Sequence, residues 1–129
     1  MLMRNFNLLR LLSISILLLS CQETYQTDTV IGKWQLIETL ADPGNGSGTY
    51  QPYEGDQVAT FSSDSTITFS EPFCLSQSGM DGKSGTYDLD SIYLPDCEFQ
   101  FHYQLQDDQL FIYPPCIEPC GLKFEKISD

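Results

Sequence analysis

Basic side chains are scarce in this chain: six Lys and Arg stand against eighteen Asp and Glu, and there is one His. A net charge of −12 repels phosphate backbones and anionic headgroups, which argues against nucleic acid and anionic lipid as partners. The lone His102 also limits acid–base chemistry. It alternates with Phe101 and Tyr103, so it falls on the opposite face of that strand, beside Gln100 and Gln104. No serine or cysteine sits in a recognisable nucleophile setting, and carboxylates this plentiful do not single out a glycosidase pair. The sequence thus predicts a protein that is not an enzyme and carries no cofactor.

Helical spacing of apolar residues is missing as well. Outside the first twenty residues no stretch keeps it for two turns, and no run is long and apolar enough to span a bilayer. The segment Leu11 to Leu19 is apolar but only about half the ~20 residues a spanning helix needs. With Arg4 and Arg10 around its start and Ser20-Cys21 at its end, it has the layout of a secretory signal. The expected organisation is a signal over residues 1–20, Cys21 with a polar linker over 21–29, and one domain over 30–129. Removing the signal takes away two arginines and no acid, so the exported chain is two units more negative than −12. Its acids, among them Asp42, Glu54, Asp64, Asp88, Asp107 and Asp108, are scattered rather than blocked, as in a solubilising shell.

Besides Cys21 the chain has Cys74, Cys97, Cys116 and Cys120, an even number that favours two disulfides in an exported protein. Three connectivities are possible. Pairing Cys74 with Cys97 would close a loop of about two dozen residues and stabilise by ~3 kcal/mol, leaving Cys116 and Cys120 to staple one tight corner. A zinc ribbon needs close ligand pairs in both halves, and only Cys116 and Cys120 are close, so no metal is expected. Pro119 between them, without a strand-to-helix context, speaks against a redox pair. The segment Asp42-Pro43-Gly44-Asn45-Gly46-Ser47-Gly48 has oxygen ligands and glycines. Its Asp and Asn are three apart where a calcium loop of EF type spaces ligands by two, so it reads as a flexible loop.

What the chain does have is period-two alternation between turn clusters. Ile31 to Leu40, Tyr50 to Tyr53, Gln57 to Ser62, Thr66 to Phe69, Ser84 to Leu89, Ile92 to Leu94, Cys97 to Leu105, Leu110 to Tyr113 and Gly121 to Ile127 read as strands. The predicted fold is all-β: an up-and-down antiparallel meander of about eight strands that closes into a barrel and so hides both edges. A barrel of that size is either filled by its own side chains or holds one small ligand.

Leu18-Leu19-Ser20-Cys21 resembles the lipobox of bacterial lipoproteins, which implies a diacylglyceryl thioether on Cys21 and a stable membrane anchor. Gly32-Lys33-Trp34 matches the Gly-x-Trp that opens the first lipocalin strand. Taken with Ala41 to Tyr50, Phe61 to Phe69, Ser84 to Tyr87 and Cys116 to Gly121, the chain from 30 to 127 resembles the small lipocalin-like lipoproteins of Bacteroidetes-type bacteria. The family hairpin usually has Asp-Gly where this chain has Asp64-Ser65, and the domain is shorter than a full lipocalin, with no evident helix. The resemblance implies a lipocalin-like barrel in the cell envelope. Gln22, unlike an inner-membrane retention aspartate, points to the outer membrane and leaves its face open.

The leading expectation is a monomeric binder of a small apolar or amphipathic molecule, with Trp34, Phe61, Phe69, Tyr87, Phe101 and Phe111 lining the barrel. The alternative is a filled barrel that engages an envelope protein or glycan through a patch involving Tyr50, Tyr53 and the loop around Cys116.

Overall fold

A computed structural model of the chain describes residues 29–74 and 82–129. The signal segment, Cys21, the linker up to Asp28 and the connection through Met80 lie outside the described residues. The alternating runs become nine strands: β1 (Gly32–Ala41), β2 (Gln51–Pro52), β3 (Val58–Phe61), β4 (Thr66–Phe69), β5 (Ser84–Tyr87), β6 (Ser91–Tyr93), β7 (Phe101–Gln106), β8 (Gln109–Tyr113) and β9 (Cys120–Ser128). There is no helix among the described residues.

From β3 to β9 each strand pairs antiparallel with the next in sequence. β1 pairs with β3 on one edge, from Gly32↔Phe61 to Gln35↔Val58, and with β9 on the other, from Lys33↔Ser128 to Ala41↔Cys120. The result is a closed barrel of eight antiparallel strands, as the alternation predicts. β2 is an extra strand that continues past β3 along β1, pairing Glu38 with Pro52 and Thr39 with Gln51. Irregularities between Lys33 and Trp34 and between Leu36 and Glu38 bend β1, which lets one strand serve both partners.

One end of the barrel is built from tight turns. Asp107 and Asp108 both adopt positive φ, 51° and 60°, the mirror-image geometry whose twist suits a two-residue hairpin. The β3–β4 turn places Ser65 at a φ of 65°, the position for which glycine is usually chosen. Asp64 compensates, its Oδ1 accepting from the Thr66 amide at 3.1 Å and from the Thr66 hydroxyl at 2.6 Å. Gly32, at a φ of 130°, begins β1 at this end, and a Cβ there would press into the Ser128 carbonyl oxygen. The glycine of Gly-x-Trp is thus what permits the first and last strands to approach.

The opposite end carries the long connections and both disulfides. Cys74 bonds to Cys97, joining the β4–β5 and β6–β7 connections, and Cys116 bonds to Cys120 between β8 and β9. The first bridge corrects one strand boundary. Cys97 to Leu105 reads as a single strand, yet β7 starts only at Phe101. Cys97 is held by its bond to Cys74, and its amide turns back to the Leu94 carbonyl at 2.9 Å. Phe99, which alternation over Cys97 to Leu105 would place on one face with Phe101 and Tyr103, is 58% exposed as a consequence.

Replacing Cys74 and Cys97 together with alanine, which opens a loop spanning a sequence separation of 23, should lower the unfolding free energy by about 3 kcal/mol. The same change at Cys116 and Cys120, four residues apart, should cost about 2 kcal/mol, because the shorter loop restrains the unfolded chain less. Urea unfolding of the two double variants checks this. A larger loss from the shorter loop would show that it braces the folded state instead.

Candidate functional site

Three regions compete as a site: the barrel interior, the loop end and the outer wall. Inside the barrel, Trp34, Phe61, Phe69, Phe101 and Tyr103 join Leu36, Ala59, Ile67, Ile92, Leu94, Leu110, Ile112 and Phe124 in one buried cluster, none more than 8% exposed. Trp34 closes the turn end, its Nε1 donating to the Val30 carbonyl at 2.7 Å while Lys126 Nζ stands 5.6 Å from the ring centroid. Tyr87 packs edge-on against Phe61 at 4.9 Å and donates its hydroxyl to the Ser62 carbonyl at 2.6 Å. Phe73, from the loop end, stacks on Phe69 at 4.0 Å and meets Phe101 edge-on at 4.9 Å. Tyr103 donates its hydroxyl to the Asp88 carbonyl, and burial pushes its pKa up to about 12.

Five of the six residues expected to line the barrel therefore lie inside it: Trp34, Phe61, Phe69, Tyr87 and Phe101. Phe111 does not. It sits opposite Lys123 on β9 and Gln104 on β7, both on the outer face, while Leu110 and Ile112 are wholly buried. The run Leu110-Phe111-Ile112-Tyr113 is apolar throughout, so alternation cannot assign its faces. Compact aliphatic side chains fit the narrow interior, and the two rings turn outward.

At the loop end, Asp42 gathers the glycine-rich loop around itself. Its Oδ1 accepts from the amides of Gly44, Asn45 and Gly46 at 2.7, 3.0 and 3.0 Å, and its Oδ2 from Gly48 at 2.6 Å. The Gly48 bond leads in holding this carboxyl below its ordinary value, with smaller contributions from the other three amides. A carboxylate engaged on both oxygens is a structural hub, so the loop expected to be flexible is tied to one residue. The Asp42 amide in turn donates to the Pro119 carbonyl at 2.9 Å, which docks this loop on the Cys116–Cys120 corner. Ile117, inside that five-residue ring, is fully exposed.

On the outer wall, Phe111 and Tyr113 lie parallel, with ring centroids 6.4 Å apart. Tyr50 reaches across β9 to meet Phe111 edge-on at 6.0 Å. It does so over Gly121, where any Cβ would collide with the Tyr50 hydroxyl. Glu38 and Lys123 pair beside the rings at 2.9 Å. The sequence marks Tyr50 as a patch residue, but not its partners on β8. Tyr53, the other patch residue, is 38% exposed beyond β2, its amide donating to the Ile37 carbonyl at 2.9 Å.

Since the folded pKa of Asp42 is depressed, its hold on the loop should be complete above the ordinary value of 3.8 and fade as pH falls below it through the depressed value. The Gly48 amide shift, followed by NMR, should titrate with a midpoint below 3.8, and Asp42→Asn should abolish that titration. A midpoint at or above the ordinary value would mean that the amides are not held in solution. Comparison of the chain with protein-family models, with curated protein sequences and with solved structures finds no match.

Proposed function

We propose that this protein is a non-catalytic, lipid-anchored interaction module of the bacterial cell envelope, which engages its partner with the outside of a filled barrel. The observation that carries this reading is the state of the interior. Ala59, Ile67, Ile92, Leu110, Ile112 and Phe124 are 0% exposed and Phe61 1%, so their apolar surface is already covered by one another. A ligand of any size would have to displace them, against the close packing of a protein interior that leaves few voids larger than a water molecule. A small barrel of this kind is compatible with a lipocalin-like binder, and the resemblance to lipocalin-like lipoproteins supports the tethered setting. The packing favours the surface over the centre.

The topology adds an orientation. β1 begins at the turn end, so a chain anchored through Cys21 enters the barrel there. That end carries Asp64, Asp88, Asp90, Asp107 and Asp108 in its turns, which disfavours contact with anionic headgroups. The loop end, with both disulfides and Ile117, then faces away from the membrane, and the walls stay open to the side. The outer membrane is the proposed location, with the module working as a monomer.

Metabolic labelling with a radioactive fatty acid should mark the wild-type chain but not Cys21→Ala, and the variant should no longer sediment with membranes. Native mass spectrometry of the wild-type chain, released from its membrane in detergent, should show the lipidated polypeptide with no further small molecule. A stoichiometric apolar ligand would return the function to the interior, and an unlabelled wild type would remove the anchor.

A further inference from the structure

We infer that the outer face of the β7–β8 hairpin is a binding site for an uncharged glycan chain, an inference that rests on the surface-acting reading above. The outward positions of this hairpin are His102, Gln104 and Gln106 on β7 and Gln109, Phe111 and Tyr113 on β8. His102 lies opposite Tyr113 and Gln104 opposite Phe111, so two rings run beside an imidazole and an amide. His102, Gln104 and Gln106 are all exposed.

A pyranose asks two things of a protein surface. Its C–H faces lie favourably against the negative face of an aromatic ring, and the hydroxyls around its rim need donors and acceptors in the same plane. The hairpin supplies both. Phe111 and Tyr113, both half-buried, lie with planes within 9° of parallel and centroids 6.4 Å apart, spaced along one strand where successive residues of an extended chain would meet them. Gln104 Nε2 donates to Gln106 Oε1 at 3.2 Å. That bond orients the two amides and uses one donor of one and one lone pair of the other, leaving the rest for a ligand. The rings are also fixed in advance: Tyr50, seated on Gly121, braces Phe111 from the side. A platform ordered before binding loses little entropy when it binds.

The charge pattern selects among occupants. In a chain of net charge −12, the outward positions of β7 and β8 hold no Asp or Glu. Most acids lie instead in turns and loops, among them Asp64, Asp88, Asp90, Asp107 and Asp108, while Glu125 on β9 stands opposite Gln109 at the edge of this face. A cationic peptide would be drawn to those turns, and an acidic polysaccharide would be repelled by the whole molecule. Lys123, beside Phe111, is already paired with Glu38 at 2.9 Å and offers no free cation. An uncharged polyhydroxylated chain is the occupant that this wall neither repels nor sends elsewhere.

The test is isothermal titration of the full lipidated chain, in a detergent without a sugar headgroup, with neutral hexasaccharides of glucan, xylan, mannan and N-acetylglucosamine. At least one should bind, and Phe111→Ala and Tyr113→Ala should each weaken it about tenfold, as expected when a ring stacking worth about 1.4 kcal/mol is deleted. Gln104→Ala guards against misfolding as the cause, because Gln104 is exposed and its loss leaves the core untouched; it should weaken binding severalfold at unchanged melting temperature. Binding indifferent to all three substitutions would overturn the placement. If no saccharide binds while crosslinking in intact cells joins this face to an envelope protein, the glycan inference falls and the surface-acting reading stands. A stoichiometric apolar ligand in the native mass spectrum would instead remove that reading itself.

Discussion

An eight-stranded barrel encloses a space only as wide as the side chains that fill it, and in this molecule that space is taken. Among the described residues, thirteen buried hydrophobic side chains, from Trp34 to Phe124, form one cluster. Their mutual contact decides which residue of each strand faces inward, and hence what the outer wall presents. Leu110 and Ile112 turn in, so Phe111 and Tyr113 must turn out; Phe101 and Tyr103 turn in, so His102 and Gln104 must turn out. The aromatic wall is the obligatory complement of the core, since a single-residue slip would exchange the two faces.

The two ends divide the remaining work. Turns that demand left-handed backbone are made with Asp and Ser rather than glycine, at Ser65, Asp107 and Asp108. Aspartate tolerates that conformation and can bond its own neighbours, as Asp64 does with Thr66. Placing most acids in turns also leaves the outward positions of β7 and β8 without any. The loop end uses a different economy. Its connections are long, and order there comes from two disulfides, from Asp42 with its four amides, and from the Asp42–Pro119 backbone tie.

Much of the fold is legible in the sequence because alternation is strong where one neighbour is polar. Trp34 and Leu36, flanked by Lys33 and Gln35, declare their face, as do Phe101 and Tyr103 between Gln100, His102 and Gln104. Legibility ends where both faces are apolar. Leu110 to Tyr113 carries no parity signal, so only the packed barrel shows that Phe111 is external. It ends again where a long-range bond overrides a local pattern, as when the Cys74–Cys97 bridge takes Cys97 and Phe99 out of a strand that alternation would extend to them. The outer aromatic cluster was partly visible through Tyr50. Its dependence on the absent side chain of Gly121, two strands away, was not.

The seam between β1 and β9 runs from Lys33↔Ser128 to Ala41↔Cys120, and neither disulfide crosses it. The earliest strand of the domain thus waits for the latest, with nearly the whole domain's length as the loop to be closed. Contacts so distant in sequence form slowly, because chain entropy is spent before they give anything back. In a chain delivered amino end first, as the proposed export requires, this arrangement acts as a timer. The barrel cannot shut until β9 is free to pair with β1, so the fold is committed only once its last strand is present.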